Sequence, residues 1–526
     1  EDRRGHPDVV RVPGAMKPDY RQKIKTLEEL ARVIGSRPRQ QSVIMCHGMF
    51  DIVHPGHLRH LAYAKDKADL LIASLSADEH GTKGMLRPYV PQELRATNLA
   101  ALEMVDYVIV DPHPTPIEHI KYLQPDYFAK GYEYFAEGVP PRTQEEMDAL
   151  ESYGGEMVFT PGDIVYSSSA LIETAPPNLG LEKLLALMES EGIQFDDLRR
   201  ALRQTEGVRV HVVGDTIVDS YSYCQTLGAT AKSPTFSVRH ERTDVFAGGA
   251  AVVAKHVKAA GATVSFSTVL GEDERKDFVL KDLESAGVTC HPCVDRTRPT
   301  THKERFISDG YKMLQVDRVD NRPVSERVLT SLTDRLRTTE ADVVICSDFR
   351  HGIFNRQTMG RIKEALPARA LKVADSQVSN RWGNILEFTG FDLLTPNERE
   401  ARFALADQDS VVRPLALELF KRAGCRHLIL KLGERGVLGY RTPGVMPREF
   451  FTVDSFVERL ADPIGAGDAL LAYASLSLFA TGNIVLASIL GSVAAAVACE
   501  HQGNEPVTPA QADEKINRLE KRSHFE

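Results

Sequence analysis

The sequence predicts an α/β protein of two successive domains, each built on a mostly parallel sheet with helices on both faces. Three observations carry that expectation. The chain has 526 residues, too many for one ordinary hydrophobic core. From Val43 onward, apolar runs of strand length alternate with stretches of helix length, the pattern that winds strands in parallel. Two glycine-bearing turns, one near each end of the chain, adjoin apolar elements in the way phosphate-binding turns do.

In the first half, strands are expected at Val43–Cys46, Leu70–Leu75, Tyr107–Val110, Tyr127–Ala129 and Glu156–Phe159, with helices such as Gly56–Lys65 and Gln92–Met104 between them. Before them, residues 1 to about 25 are polar and without period, and read as a loose arm leading to a helix at Thr26–Ile34. The expected domains are thus an arm and helix over 1–40, a first α/β domain over 41–175, a linker helix within 176–206 and a second α/β domain over 207–526. The break Ala175-Pro176-Pro177-Asn178 marks the boundary, and the second βα series opens at Val208 to Asp215. Thr226–Val245 and Thr300–Val319 read as alternating strands inserted into that series, forming a small β lid.

The bulk numbers exclude several classes. With 42% hydrophobic and 26% charged residues the chain is of globular composition. A net charge of −9 and a pI of about 6.1 argue against a general nucleic-acid binder, which needs a positive field. The longest apolar run, Ile484–Cys499, is short of the ~20 residues that span a bilayer and reads as a buried core helix, so no membrane association is expected. No apolar segment follows Glu1-Asp2-Arg3-Arg4, so no signal peptide is expected. Seven scattered cysteines suit a reducing compartment, and the expected location is cytoplasmic. Cys290 and Cys293 form a C-x-x-C that no second pair or histidine cluster completes into a metal site.

The first turn reads Phe50-Asp51-Ile52-Val53-His54-Pro55-Gly56-His57. If a helix starts at Pro55, its amides and two imidazoles converge on one anionic group, which suits a nucleoside triphosphate. Two histidines capping a helix is the plainer alternative. Residues 40–175 resemble the cytidylyltransferase-like nucleotidyltransferases, with a Rossmann-like fold, through this H-x-G-H together with Gly48, Lys83-Gly84, Arg87-Pro88, Glu93 to Arg95, Asp126 to Gly131 and Tyr166 to Ile172. The resemblance implies that His54 and His57 hold the triphosphate and stabilise the transition state, and that Lys83 neutralises phosphate charge. It places Ser167, Ser168 and Ser169 on the outgoing phosphates, and Lys130 and Gly131 near the base. Gly48, Phe50 and Asp51 join the nucleotide-binding set.

The second turn is Asp462-Pro463-Ile464-Gly465-Ala466-Gly467-Asp468, directly before an apolar helix. Small residues there leave amides open to a transferred phosphoryl group, and Asp468 can serve as general base. A structural glycine turn is the alternative. Residues 208–515 resemble the ribokinase-like carbohydrate kinases through this turn and through Gly214-Asp215 with Asp219, Gly248-Gly249-Ala250-Ala251, Ser347-Asp348, Asn397 to Glu400 and Lys431 to Gly436. By that resemblance Asp215, Asp219, Gly248, Gly249, Lys303, Arg305 and Asp348 bind the sugar. Asn397, Glu400, Lys431, Gly433, Gly436, Gly465, Ala466 and Gly467 serve the nucleotide, and Glu400 reaches Mg²⁺ indirectly.

Together the halves resemble the bifunctional heptose 7-phosphate kinase / heptose 1-phosphate adenylyltransferases, with the domain order reversed. That implies phosphorylation of a sugar phosphate at its anomeric hydroxyl and nucleotidyl transfer to the resulting 1-phosphate. ATP and Mg²⁺ are the expected cofactors, with CTP the alternative donor. The chain departs from the pattern at Val252, where Asn is expected, at Ser376-Gln377, where Pro-Lys is expected, and at Ile464, where Thr is expected. An arginine expected near the last transferase helix is absent, and Tyr166 and serines stand there. Two alternatives remain: another sugar or polyol phosphate with CTP, or a kinase half kept as a sugar sensor or dimerising module. A homodimer is expected because lid strands leave exposed edges.

Overall fold

A computed structural model describes residues 19–80, 88–131, 140–160, 180–229, 235–378, 385–442, 449–501, 503 and 505–523. The chain folds as two compact units, Glu1–Leu179 and Gly180–Glu526. In the first, strands β1 (Val43–Gly48), β2 (Leu70–Ser76), β3 (Tyr107–Asp111), β4 (Tyr127–Gly131) and β5 (Glu156–Thr160) form one sheet in the order β3-β2-β1-β4-β5. Every pairing is parallel. Successive residues of β1 serve opposite layers: Ile44 and Cys46 pack with Leu61 and Leu99, Val43 and Met45 with Leu30, Ile120 and Leu150. A strand buried on both faces must be apolar throughout, which is why Val43-Ile44-Met45-Cys46 carries no alternation. The order reverses between β1 and β4, so a crevice opens beyond their carboxyl ends.

Two expectations are corrected. The stretch read as a loose arm is tied down from Asp19: Ile24 bridges to Val108 of β3, the Lys25 amide donates to the Val108 carbonyl at 2.9 Å, and Lys23 Nζ to the Leu102 carbonyl at 3.0 Å. An edge strand leaves open hydrogen-bonding groups, and this segment covers them. The stretch read as a linker holds two helices, Gly180–Ser190 and Phe195–Gln204. Leu184, Leu187, Leu198 and Leu202 bury in the core of the second unit, so these helices belong to it.

The second unit carries strands β6 (Arg209–Gly214), β7 (Thr216–Ala229), β8 (Phe236–Gly249), β9 (Thr263–Leu270), β10 (Thr289–Val294), β11 (His302–Ser308), β12 (Tyr311–Arg318), β13 (Val343–Asp348), β14 (Leu371–Ser376), β15 (Leu393–Leu394), β16 (His427–Lys431), β17 (Val437–Arg441) and β18 (Phe450–Val453). The main sheet runs β10-β9-β6-β13-β14-β15-β16-β17-β18, parallel as far as β16 and antiparallel beyond. The expected lid is a separate sheet, β12-β11-β7-β8, and it starts earlier than the sequence suggests, at Thr216 directly after Asp215. Helices Ala466–Thr481 and Ile484–Cys499 lie buried against each other. A side chain at Gly491 would come within 3.1 Å of Ala474 Cβ, so glycine sets the depth of that contact. Among the described residues, no helix is long and apolar enough to cross a membrane.

One close approach within the main sheet is at Gly214, where a Cβ would lie 2.2 Å from the Ser347 carbonyl oxygen and 2.7 Å from Ala250 Cβ. Neither neighbour is a flexible side-chain end. Gly214→Ala should therefore force β6 from β13 and destabilise the second unit by about 1–3 kcal/mol or more, measured as a lowered denaturation midpoint.

Candidate active sites

In the first unit, the chain leaves β1 at Gly48 and enters helix Pro55–Lys65 with His54 as N-cap. Pro55 suits the first helical position, having no amide to leave unpaired. His54 Nδ1 accepts the Gly56 amide at 3.1 Å, so in the neutral ring the proton resides on Nε2. His57 Nδ1 lies 3.1 Å from the Ile52 carbonyl, which can only accept, so that nitrogen carries the proton and Nε2 holds a lone pair. The two rings stack, with centroids 3.9 Å apart. Gly56 is required because a Cβ there would meet His54 Cε1 at 2.9 Å. Burial first, then the neighbouring His54 and His60, push His57 down to about 4, against the Ile52 hydrogen bond. Burial, then Arg59, also lowers His54. The pair is thus neutral near pH 7, presenting one donor and one acceptor.

The other residues expected here divide into supports and contacts. Phe50 sits at φ 47°, an unusual position for a bulky residue, with its ring between Gly48 and His57. Asp51 is buried, and its carboxylate accepts the Tyr89 amide at 3.0 Å and the Val90 amide at 2.8 Å. These residues shape the turn from behind. Lys130 and Gly131 end β4, and the Lys130 ammonium pairs with Glu146 of helix Pro141–Glu151. Lys83, Ser167, Ser168 and Ser169 lie outside the described residues.

Arg95, which the sequence marks only as part of the transferase resemblance, is the organiser of this end of the sheet. Fully buried, it donates to the carbonyls of Met49, Val90 (2.8 Å) and Ser76 (3.0 Å) and pairs with Asp78. One guanidinium therefore joins the ends of β1 and β2 to the segment entering helix Gln92–Ala100. Its signal was a lone arginine beside Ala96, Leu99 and Ala100 on an otherwise buried helix face.

In the second unit, Gly465 takes a left-handed turn (φ 83°) before helix Ala466–Thr481, and Asp468 lies in the first turn. Burial first, then Asp375, push Asp468 up to about 7, with Lys431 opposing them. Lys431 Nζ donates to both oxygens of Asp375, at 2.9 and 3.0 Å, and would stand 3.6 Å from a Cβ at Gly467. So Lys431, expected to serve the nucleotide, lies at the floor of the glycine turn with the carboxylates. Burial alone would lower its pKa, but Asp375, Glu400 and Asp468 together hold it raised. The N-x-x-E pattern folds as a capping box: the Asn397 amide and Nδ2 each meet a Glu400 carboxylate oxygen at 2.6 Å, and the Glu400 amide donates to Asn397 Oδ1 at 2.9 Å. Burial pushes Glu400 up to about 7, against Lys431 and reinforced by Asp375 and Asp468. Three carboxylates face one ammonium, an excess of negative charge that fits a hard divalent cation held through water or phosphate oxygens.

Gly433 (φ 64°) and Gly436 (φ 81°) form the turn between β16 and β17, where a Cβ at Gly436 would strike the Val453 carbonyl at 2.1 Å. Beyond the carboxyl ends of β6 and β13, Asp215 Oδ2 accepts the amides of Phe349 (3.0 Å) and His351 (3.1 Å). Burial, then Asp348, push it up to about 7. Asp348 accepts the Ser376 hydroxyl at 2.8 Å and the Arg350 amide at 2.8 Å. Arg305 of β11 pairs with Asp219 of β7 at 2.6 Å, and Lys303 stands in register with Asp219. A Cβ at Gly248 would lie 2.1 Å from Asp219 Oδ2, and one at Gly249 (φ 65°) 2.5 Å from the Asp215 carbonyl. The glycine pair thus makes room for the chain's own carboxylate and carbonyl. Val252 is buried in helix Ala250–Ala259, and Ile464 is exposed.

The family model for pfkB family carbohydrate kinases matches residues 209–511, and the cytidylyltransferase-like model matches residues 45–174. Bifunctional protein HldE of Desulfatibacillum aliphaticivorans is 29% identical over 333 residues, covering 62% of this chain and 65% of that protein. The protein of the same name from Nitrobacter hamburgensis is 30% identical over 334 residues, covering 61% and 65%. The chain therefore spans about two thirds (65%) of the length of the curated relatives it matches. Phosphofructokinase-2 from Escherichia coli, in its tetrameric inhibited form, is 15% identical with a TM-score of 0.49, covering 60% of this chain and 99% of that one. The kinase model covers more than half of the chain and the transferase model precedes it, so this chain belongs to the pfkB family of carbohydrate kinases and carries a cytidylyltransferase-like domain ahead of its kinase domain.

Proposed function

We propose that the chain activates a sugar phosphate in two steps: ATP-dependent phosphorylation at the anomeric hydroxyl in the second unit, and nucleotidyl transfer to the resulting 1-phosphate in the first. The observation that carries the reading is Asp468, half-buried in the first turn of a helix behind Gly465, its pKa pushed up to about 7 and Lys431 beside it. A carboxylate so placed is poised to take a proton from an acceptor hydroxyl near neutral pH. The open amides of the Gly465–Gly467 turn and the Lys431 ammonium stabilise the charge on the transferred phosphoryl group. Mg²⁺, reached by Glu400 through water, supplies charge neutralisation at the phosphates when bound. Asp215 and Asp348 position the acceptor end, and Lys303 and Arg305 of the lid offer cations to a sugar phosphate.

The acceptor we favour is a heptose 7-phosphate and the donor ATP, supported by the resemblance to the heptose kinase / adenylyltransferases and by the HldE relatives. Lys431 on Asp375 leaves one cation beside the strand end where Gln377 stands for the expected lysine. In the first unit, His54 donates through Nε2–H to the triphosphate, while His57 must first take a proton on Nε2 to do so. A dimer through the lid is part of the proposal, since edge strand β12 exposes Met313, Leu314 and Val316.

The direct test incubates the protein with Mg²⁺, ATP and D-glycero-D-manno-heptose 7-phosphate and follows products by mass spectrometry, with CTP and other sugar phosphates in parallel. Asp468→Asn should lose sugar phosphorylation by about 10²-fold or more while nucleotidyl transfer to a supplied sugar 1-phosphate continues. A base works only deprotonated, so kcat/KM for phosphorylation should fall as pH drops through about 7. Lys431→Met removes the cation that favours ionised Asp468, so its pH limb should move to higher pH. Unchanged phosphorylation in Asp468→Asn would end the proposed kinase chemistry.

A second expectation concerns the transferase. Phosphate binding should raise the His57 pKa from about 4, so the complex holds more protons than the free protein and NTP affinity should weaken as pH rises. Calorimetry in buffers of different ionisation enthalpy should register proton uptake, reduced in His57→Asn. Binding without proton exchange would remove the protonated-His57 step.

A further inference from the structure

The carboxyl end of β3 gathers three side chains that neither proposed reaction uses. Asp111 is the last residue of β3, His113 follows two residues on, and His119 lies in helix Ile117–Leu123. One ligand atom from each lies within 4.8 Å of those of the other two. Asp111 is fully buried and His119 is 2% exposed. Yet, among the described residues, Asp111 Oδ2 and His119 Nδ1 have no hydrogen-bond partner. They face each other at 3.4 Å. A buried carboxylate oxygen and a buried imidazole nitrogen left in this way cost free energy unless something else satisfies them.

We propose that Asp111, His113 and His119 form a site for a borderline divalent transition metal of the Zn²⁺ class. The spacing of one pair suits that ion: two ligands each ~2.0–2.1 Å from a tetrahedral centre stand about 3.4 Å apart, the separation between Asp111 Oδ2 and His119 Nδ1. Imidazole nitrogens beside one carboxylate select such an ion over Mg²⁺ or Ca²⁺, which prefer oxygen. The Asp111 carboxylate is already oriented, because its Oδ1 accepts the His113 amide at 2.9 Å. Its Oδ1 also lies 2.8 Å from His113 Nδ1, a contact the ion competes with if it takes that nitrogen. The His113 side chain is 42% exposed, which leaves an entry path and a fourth position for water. Nearby His47 is not a ligand, since both its nitrogens are engaged by Ser74 (2.9 Å) and Ser76 (3.0 Å). His80 Nε2 is committed to the Pro112 carbonyl. The bound ion would clamp the end of edge strand β3 to the helix that follows it, a structural role with an open position rather than a place in either transfer reaction.

The test uses the full chain, stripped with chelator and titrated with Co²⁺ and then Zn²⁺. The expected result is about one equivalent of Co²⁺ with the visible bands of a tetrahedral centre, displaced by Zn²⁺ and kept in Asp468→Asn. His119→Ala and Asp111→Asn should abolish the bands. His113→Ala changes an exposed side chain, so the fold is not at stake, and it should weaken binding by at least ~10-fold. No stoichiometric binding by the unmodified chain would overturn the proposal. So would a tetrahedral spectrum that survives His113→Ala with unchanged affinity.

Discussion

Parallel pairing is the constraint on which both proposed active sites depend. When every neighbour runs the same way, all carboxyl ends reach one edge of the sheet, and whatever follows each strand is brought to that edge. The register of the second unit makes this concrete. Gly214 pairs beside Ser347, Asp348 beside Ser376, and Asn397 bridges to Lys431. Asp215, Asp348, Asp375, Asn397 and Lys431 are thereby lined up although long stretches of chain separate them. In the first unit the same rule brings the His54–His57 turn after β1, Asp78 after β2 and Asp111 at the end of β3 to one edge.

The charges at that edge are held with few countercharges. Asp215, Glu400 and Asp468 are each pushed up to about 7, and burial is the first cause in every case. A buried carboxylate that stays near its titration point can exchange a proton at little cost, which a fully solvated or fully paired one cannot do. Lys431 prevents the cluster from neutralising itself entirely. Arg95 plays the opposite part in the first unit. Its guanidinium satisfies three carbonyls and Asp78, so the turn that carries His54 and His57 rests on a fully bonded support.

The glycines show how a motif and its physical cause can separate. Gly-Gly at 248–249 resembles a family pattern for close approach to sugar, but the nearest obstacles to a side chain are Asp219 Oδ2 and the Asp215 carbonyl. At Gly214 and Gly436 the obstacles are the carbonyls of Ser347 and Val453. In each case glycine lets one part of the chain approach another. Any room for a ligand follows from that close packing.

What the sequence by itself determined was local or periodic. The unbroken apolar run of β1, the Pro-Gly entry to the helix at His54 and the Gly-Ala-Gly turn before an apolar helix carry their own short-range physics, and with the resemblances they made the two-domain α/β fold legible. Tertiary structure alone decided what depends on partners remote in the chain. The arm at Ile24 pairs with Val108, and the supposed linker helices bury Leu184 and Leu198 in the kinase core. Asp51 spends its carboxylate on the Tyr89 and Val90 amides, and Lys431 turns toward Asp375. The tautomers of His54 and His57 follow from a backbone amide and a backbone carbonyl that no residue pattern announces. Charge, burial and hydrogen bonding are properties of an environment, and for these side chains the environment is assembled only when the strands pair.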